Sequence, residues 1–231
     1  MSNHELFLMF DVESDGPCPG LNSMLSLGAV IVDPRLEDDR CIISGFEVNF
    51  EAAPGAAPNP DTMAWWRSQP PAAWDAHRVN IERPEDAMLA FVGWAALSPD
   101  LRDLGVRLVP VAWPAAFDWS FLNYYLWRFV GSNPLGYQCA DVRSYFTGAA
   151  ASRWLAGAED SNTLRVLLDE HKPQPSESWR FPVTRIGDDG ENYVFVPGRT
   201  HVALDDAASQ AIQFARAVRT IQNPCLRPRP R

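Results

Sequence analysis

No apolar run in this sequence approaches the roughly 18 to 20 residues that a helix needs to cross a bilayer. The opening Met1-Ser2-Asn3-His4-Glu5 lacks the basic flank of a signal peptide, so the expectation is a soluble, cytoplasmic protein without membrane contact. Cysteine is scarce. Cys18, Cys41, Cys139 and Cys225 stand far apart and form no CxxC pair, which excludes a zinc knuckle or a dithiol redox motif and makes free thiols the default. Positive charge is in deficit: 20 Lys and Arg against 29 Asp and Glu leave a formal charge of −9. This balance argues against a broad phosphate-gripping surface of the kind that drives nonspecific duplex binding. Any polyanion would have to be held at a small site where metal ions supply the positive charge. No internal repeat is visible.

What remains is a globular composition, 46% hydrophobic and 11% aromatic over 231 residues. At roughly 150 residues per domain this suggests one domain with decorations. The domain is expected over 1–223. Residues 224–231 read as a flexible basic tail, since Leu226 to Arg231 alternates arginine with proline and cannot be helical.

Leu6 to Phe10 is an apolar run that ends in Asp11-Val12-Glu13 and is broken by Ser14-Asp15-Gly16-Pro17, the pattern of a buried strand leaving the core. Ser26 to Val32 and Cys41 to Phe50 read as two further strands, so the first three should form a meander. Prolines between Ala52 and Pro60 mark a loop, after which Asp61-Thr62 can cap a short helix carrying Trp65 and Trp66. A helix starting at Pro84, a strand over Val106 to Trp113, an aromatic helix over Asp118 to Val130, a short strand near Tyr137 to Asp141, and helices over Ser161 to Leu168 and Asp205 to Ile221 follow. Arg180 to Val196 has two β-rich arms around Gly187-Asp188-Asp189-Gly190 and reads as an inserted hairpin, an appendage spanning about 180–197.

Asp11 and Glu13, two residues apart on a strand, point to one face, where their like charges need a cation. Asp118 opens a helix and can serve as its cap. In His201-Val202-Ala203-Leu204-Asp205-Asp206, Asp205 is the better candidate for a helix cap, while Asp206 can project beside His201 from the first turn. Asp141 is read as a turn or cap residue more than as a support for metal ligands. Trp65 and Trp66 are adjacent on a helix and diverge by about 100°, so one of them should be near the surface. Phe121, Tyr124, Tyr125, Trp127 and Phe129 are expected in the core by their helical spacing. His4, His77 and His171 are assigned no role.

D-x-E on a first strand, F-D at a strand-to-helix junction, and H-x(4)-D opening a late helix occur here in one order. In that combination the sequence resembles the DEDDh branch of the DnaQ-like exonuclease superfamily, which contains proofreading exonucleases, RNase T and oligoribonuclease. The resemblance covers Leu6 to Ile221. Thr62-Met63-Ala64-Trp65-Trp66-Arg67-Ser68-Gln69 is also similar to a stretch of the RNase AS and phage DexA subgroup.

The resemblance implies an RNase H-like α/β fold, with a mixed central sheet of about five strands flanked by helices. It implies Asp11, Glu13, Asp118 and Asp206 as ligands of two divalent ions, Mg²⁺ or Mn²⁺, and His201 as the general base. The implied activity is 3′-to-5′ removal of nucleoside monophosphates from single-stranded RNA or DNA ends, with RNA or short oligonucleotides favoured. Trp65, Trp66 and Phe117 are candidates for substrate contact. A homodimer is left open, as are two alternatives: a proofreading subunit docked on a polymerase through the hairpin or tail, and a catalytically silent binding module. Trp113-Pro114-Ala115-Ala116 departs from the asparagine or histidine that many members carry before F-D.

Overall fold

The structure, a computed structural model, describes residues 5–95, 106–155, 163–174, 176–187 and 192–222. In chain order the elements are β1 (Glu5–Ser14), β2 (Met24–Val32), β3 (Ile42–Phe50), α1 (Pro60–Ser68), α2 (Pro71–Ala76), β4 (Ile81–Glu82), α3 (Pro84–Ala95), β5 (Arg107–Ala112), α4 (Ala115–Tyr125), β6 (Ala140–Asp141), α5 (Val142–Leu155), α6 (Thr163–His171), β7 (Trp179–Thr184), β8 (Asn192–Phe195) and α7 (Ala203–Gln222).

The strands make one mixed sheet in the order β6-β5-β1-β2-β3-β7-β8, with β4 also on β3. β1, β2 and β3 form the expected antiparallel meander. β5 lies parallel to β1 and β6 parallel to β5. Among the described residues Pro110 has no strand partner on the outer side of β5, since β6 pairs with Val111 and Ala112.

Alternation along β1 divides the hydrophobic interior in two. Leu8, Phe10 and Val12 join α3 and α4 residues such as Phe91, Phe121 and Tyr125 on one face. Met9 joins Leu204, Ala208 and Ile212 of α7, with Phe146 of α5, on the other. The sheet is therefore covered on both sides, and its central strands are apolar on both.

The five strands of the expected core are β6, β5, β1, β2 and β3, and three more extend it. The segment expected as an appendage is built into the sheet instead: β7 runs parallel to β3 through Gly45↔Val183 and Phe46↔Thr184, and β8 pairs antiparallel with β7. Gly45 makes this possible, because a Cβ there would lie 2.9 Å from Phe181 Cε2 and 3.1 Å from Val183 Cγ2. Trp179, Phe181 and Val183 face inward, and the intervening residues face water. The expected turn at residues 188–190 and the tail at 224–231 lie outside the described residues, as does His4.

Several local expectations are corrected. The cap of α1 is Asn59, whose side chain accepts the Asp61 and Thr62 N–H groups at 3.0 Å each; an asparagine there leaves Asp61-Thr62 inside the first turn. α4 starts at Ala115, so Asp118 is in its first turn and not its cap. The aromatic helix is not uniform: Leu126–Val130 is a π-helical turn, ended by Gly131 at φ 79°. That wider turn shifts the phase of the spacing, and Trp127, expected in the core, is 51% exposed while Phe121 and Tyr125 are buried. Among the described residues no helix is long and apolar enough to cross a membrane.

Candidate active site

β1 outruns β5, and the site forms where it does. The parallel pairing ends at Met9↔Val111, leaving the Val12 N–H without a strand partner. Asp118 Oδ1 accepts that N–H at 2.9 Å. A buried amide is thereby satisfied, and the α4 carboxyl is fixed between Asp11 and Glu13. Asp141 holds the other end of this arrangement: its Oδ2 accepts the Ala115 N–H at 3.0 Å and its Oδ1 the Ser144 N–H at 2.7 Å. It is thus the cap it was expected to be, at the head of α5, and not a fifth member of the carboxylate cluster.

α7 arrives from the other face. Gly28 of β2 pairs with Asp11, and a Cβ at Gly28 would stand 2.1 Å from the Leu204 N and 2.2 Å from the Ala203 carbonyl carbon. Only glycine lets the first turn of α7 rest directly on the strand beside Asp11. One turn beyond Asp206, Gln210 donates to Asp11 Oδ1 at 3.0 Å.

His201 precedes α7 at φ 60°, a left-handed conformation few non-glycine residues adopt. Its N–H donates to Asp206 Oδ2 at 2.7 Å, and the Asp206 N–H donates to Val202 O at 3.0 Å. The expected division of labour holds in part. Asp206 does stand with His201, but Asp205 is no cap; it is wholly buried and bound by Tyr193 and Arg199. The His201 Nδ1 is 4.0 Å from Glu13 Oε1, and one ligand atom from each of Glu13, His201 and Asp206 falls within 4.8 Å of the others.

The tryptophan pair closes the histidine side. Trp66 is 2% exposed and Trp65 42%, the split that helix geometry requires. Trp66 Nε1 donates to Ser14 O at 2.9 Å, which ties α1 to the end of β1. The Trp65 ring meets the His201 ring edge-on at 4.9 Å between centroids, and Trp66 lies 6.2 Å from it. On its far side Trp66 packs at 4.9 Å against the buried His77, whose Nδ1 is 3.0 Å from Ser26 Oγ. Burial pushes His77 down to about 4, and the neighbouring His201 charge adds to this against the pull of the His201 backbone. His77 is therefore a neutral packing partner. Phe117 packs on Phe121 at 5.2 Å within α4 and not on the histidine side.

Electrostatically the cluster is uncompensated. Among the described residues no arginine or lysine pairs with Asp11, Glu13, Asp118 or Asp206. Burial, followed by the Asp118, Glu13 and Asp206 charges, holds the Asp11 carboxyl well above its ordinary range. Burial followed by Asp206 and Asp118 pushes Glu13 up to about 8, and burial pushes Asp118 to about 7 and Asp206 to about 6. Asp118 Oδ2 is buried without any hydrogen-bond partner. An orphaned, inward-facing carboxylate oxygen inside an acidic cluster is what a hard divalent cation would satisfy, so the residues present fit such an ion.

Sequence reasoning missed Gln210, His77 and the Tyr193–Arg199 hold on Asp205. Gln210 was findable, since it lies four residues after Asp206 and shares its helix face. No local pattern marks the other contacts.

The sequence model described as "3'-5' exoribonuclease Rv2179c-like domain" matches residues 6–218. The 3'-5' DNA exonuclease Cap18 of Escherichia coli is 29% identical over 162 residues, covering 66% of this chain and 74% of that protein. In three dimensions the chain is similar to E. coli ExoI, solved in its zinc-bound form with ssDNA, at a TM-score of 0.56 and 14% identity; the match covers 96% of this chain and 42% of ExoI, so the chain spans less than half that protein's length. It is similar over 97% of its length, and 95% of the other, to the nuclease domain of 3'hExo, a DEDDh family member bound to rAMP, at a TM-score of 0.52 and 15% identity. These likenesses carry the RNase H-like fold, and the match over 6–218 carries the family: the chain belongs to the 3'-5' exoribonuclease Rv2179c-like domain family, among the DnaQ-like 3′-to-5′ exonucleases.

Proposed function

We propose that the chain hydrolyses single-stranded nucleic acid from its 3′ end with two divalent metal ions, releasing nucleoside monophosphates. The observation that carries this reading is the convergence of Asp11, Glu13, Asp118 and Asp206 from three elements onto one uncompensated, largely buried cluster beside His201. Oxygen donors alone suit Mg²⁺ or Mn²⁺, and these four carboxylates would hold the ions. Such ions, when bound, supply an activated water and charge stabilisation for the leaving oxygen.

The protein's own groups do the remaining work. With its Nδ1 turned to Glu13, His201 presents Nε2 to take the proton of the attacking water. Gln210 holds the orientation of Asp11 through Oδ1. Trp65, half-exposed and in edge contact with His201, offers an indole face on which a terminal base stacks. Residues 1–223 act as one catalytic unit in this reading.

RNA is the proposed substrate, because the family matched over 6–218 is described by exoribonuclease activity. DNA is the second reading, favoured by the similarity to the DNA exonuclease Cap18. A net charge of −9 suits action at ends more than a grip on long strands. The test is digestion of 5′-labelled RNA and DNA of one sequence in Mg²⁺, in Mn²⁺ and in EDTA. Expected are ladders shortening from the 3′ end, monophosphate products, a faster rate on RNA, and no cleavage in EDTA. Faster cutting of DNA would transfer the reading to the second substrate, and metal-independent cutting would end the two-ion mechanism.

A further inference from the structure

The segment carrying His201 has little regular structure of its own: it follows β8, passes through Gly198 at φ 127°, and reaches His201 in a left-handed conformation just before α7. Such a conformation costs of order 1–3 kcal/mol and persists only where surroundings hold it. What holds it comes from the inserted hairpin. The Tyr193 hydroxyl, on β8, donates to Asp205 Oδ1 at 2.6 Å. Arg199 donates from Nη2 to the Tyr193 hydroxyl and to the same Oδ1 at 3.0 Å, and its Nε lies 2.5 Å from Asp205 Oδ2. Asp205 is completely buried and adjacent to Asp206.

The contacts continue into the sheet. The Tyr193 ring packs on Phe181 of β7 at 5.7 Å, and the Arg185 and Arg199 guanidinium groups lie over it at 5.6 and 6.0 Å. Arg185 in turn pairs with Glu47 of β3 at 2.8 Å. A continuous series of contacts therefore runs from the central sheet through the hairpin to Asp205, the residue preceding Asp206, and the chain is fixed on both sides of His201: at Arg199 two residues before it and at Asp205 four residues after it.

We propose that the β7–β8 hairpin is a strut for the proposed general base, with Tyr193, Arg199 and Asp205 as positioning residues that set where the His201 imidazole stands relative to Glu13. This explains why a segment absent from a minimal five-strand core is joined to β3 and ends at the site. It also accounts for the buried Asp205, which no metal requires: a carboxylate out of water is costly unless compensated, and here Oδ1 accepts from Tyr193 and Arg199 while Oδ2, without a hydrogen bond of its own, lies against the Arg199 guanidinium as an ion pair.

The proposal rests on His201 being the base, and the experiment separates the two. Tyr193→Phe removes one oxygen and leaves the ring packing on Phe181 intact. In the full chain with Mg²⁺ and an RNA oligonucleotide, it is expected to lower kcat between about 10- and 100-fold, the scale of a displaced catalytic group, with KM changed less than about twofold. In the His201→Ala background the same change should have no further effect on kcat, because there is no imidazole left to place. In the metal-free full chain, the ring-proton resonances of His201, assigned by their loss in His201→Ala and shifted by the Trp65 indole, should move or broaden in Tyr193→Phe. Arg199→Lys, which keeps charge but not the fork, should fall between wild type and Tyr193→Phe. If His201→Ala is inactive and Tyr193→Phe turns over at the wild-type rate with unmoved His201 resonances, the strut is wrong and the base assignment stands. If Tyr193→Phe lowers the melting temperature alone, the hairpin is merely structural, which also overturns the proposal. If His201→Ala is as active as wild type, the base assignment fails and takes the strut with it.

Discussion

The two halves of the site are held in different ways. The carboxylate half sits on the sheet and on the first turns of two core helices: Asp11 and Glu13 on β1, Asp118 hydrogen-bonded to the β1 backbone, Asp206 in a helix that rests on Gly28. Its positions are fixed by backbone packing. The histidine half is assembled from side chains of a left-handed loop residue, a short helix and a hairpin. A charge-bearing floor gains from rigidity, since four carboxylates must stay close against their own repulsion. In the proposed reading, a proton-accepting, substrate-facing wall is where modest displacement changes rate without unfolding anything.

The sharpest way to break this contrast is to remove one floor carboxylate. Asp11→Ala should bring hydrolysis to background while leaving the metal-free protein folded and more heat-stable, because a buried like charge has been deleted. Cleavage above about a tenth of the wild-type rate in saturating metal would contradict a two-ion floor. On the wall, His201→Ala should reduce turnover by about 100- to 10,000-fold, the range of a positioned base, with oligonucleotide affinity measured in Ca²⁺ nearly unchanged. A loss of affinity matching the loss of rate would make His201 a binding residue.

The floor also predicts a pH dependence of stability. Glu13 at about 8, Asp118 at about 7 and Asp206 at about 6 are all raised above their ordinary values of 4.5, 3.8 and 3.8. Below about pH 3, under the ordinary values of all three groups, folded and unfolded chains are both protonated there, and nothing is lost. As pH climbs toward 8 the unfolded chain releases protons that the folded one retains, so stability falls across that window. His77, lowered from 6.5 to about 4, works in the opposite direction as pH falls. The informative quantity is therefore the difference between wild type and Glu13→Gln. Melting temperatures in EDTA should show wild type losing ground to Glu13→Gln between pH 5 and 8, and Mg²⁺ should reverse the trend. Parallel curves in EDTA would mean the carboxylates are not strained when empty of metal.

The same division governs what was legible in the sequence. The order of D-x-E, F-D and H-x(4)-D carried Asp118, Asp206 and His201 through resemblance alone, whereas period-two spacing placed Asp11 and Glu13 together, because local geometry along a strand dictates it. The three-strand meander was legible for the same reason. The joining of β7 to β3 was not, since it depends on a missing side chain at Gly45 meeting Phe181 across more than a hundred residues. Asp205 looked like a helix cap because Asp is a common one, and only the tertiary position of Tyr193 and Arg199 reveals its other use. Trp127 defeated helical spacing because the π turn at Leu126–Val130 changed the period.

The smallest expected effect lies within the wall, between neighbours. Trp66 is buried, hydrogen-bonded to Ser14 O and packed on His77, so Trp66→Ala should cost about 3 to 5 kcal/mol of stability through the cavity it leaves. Trp65 is 42% exposed and offers one face to solvent beside His201. Trp65→Ala should instead cost about 1 to 3 kcal/mol of oligonucleotide binding, the scale of one base stacked on an aromatic ring. Because any base has a face to stack, the loss should be nearly equal across four homopolymers, and Trp65→Phe should restore most of it. Indole fluorescence quenching by short oligonucleotides in Ca²⁺, lost in Trp65→Ala, reads the contact without cleavage. A loss confined to one base would point to a hydrogen-bonding pocket. Two early-melting variants that bind normally would make both tryptophans packing residues, and the wall would then act on the proton alone.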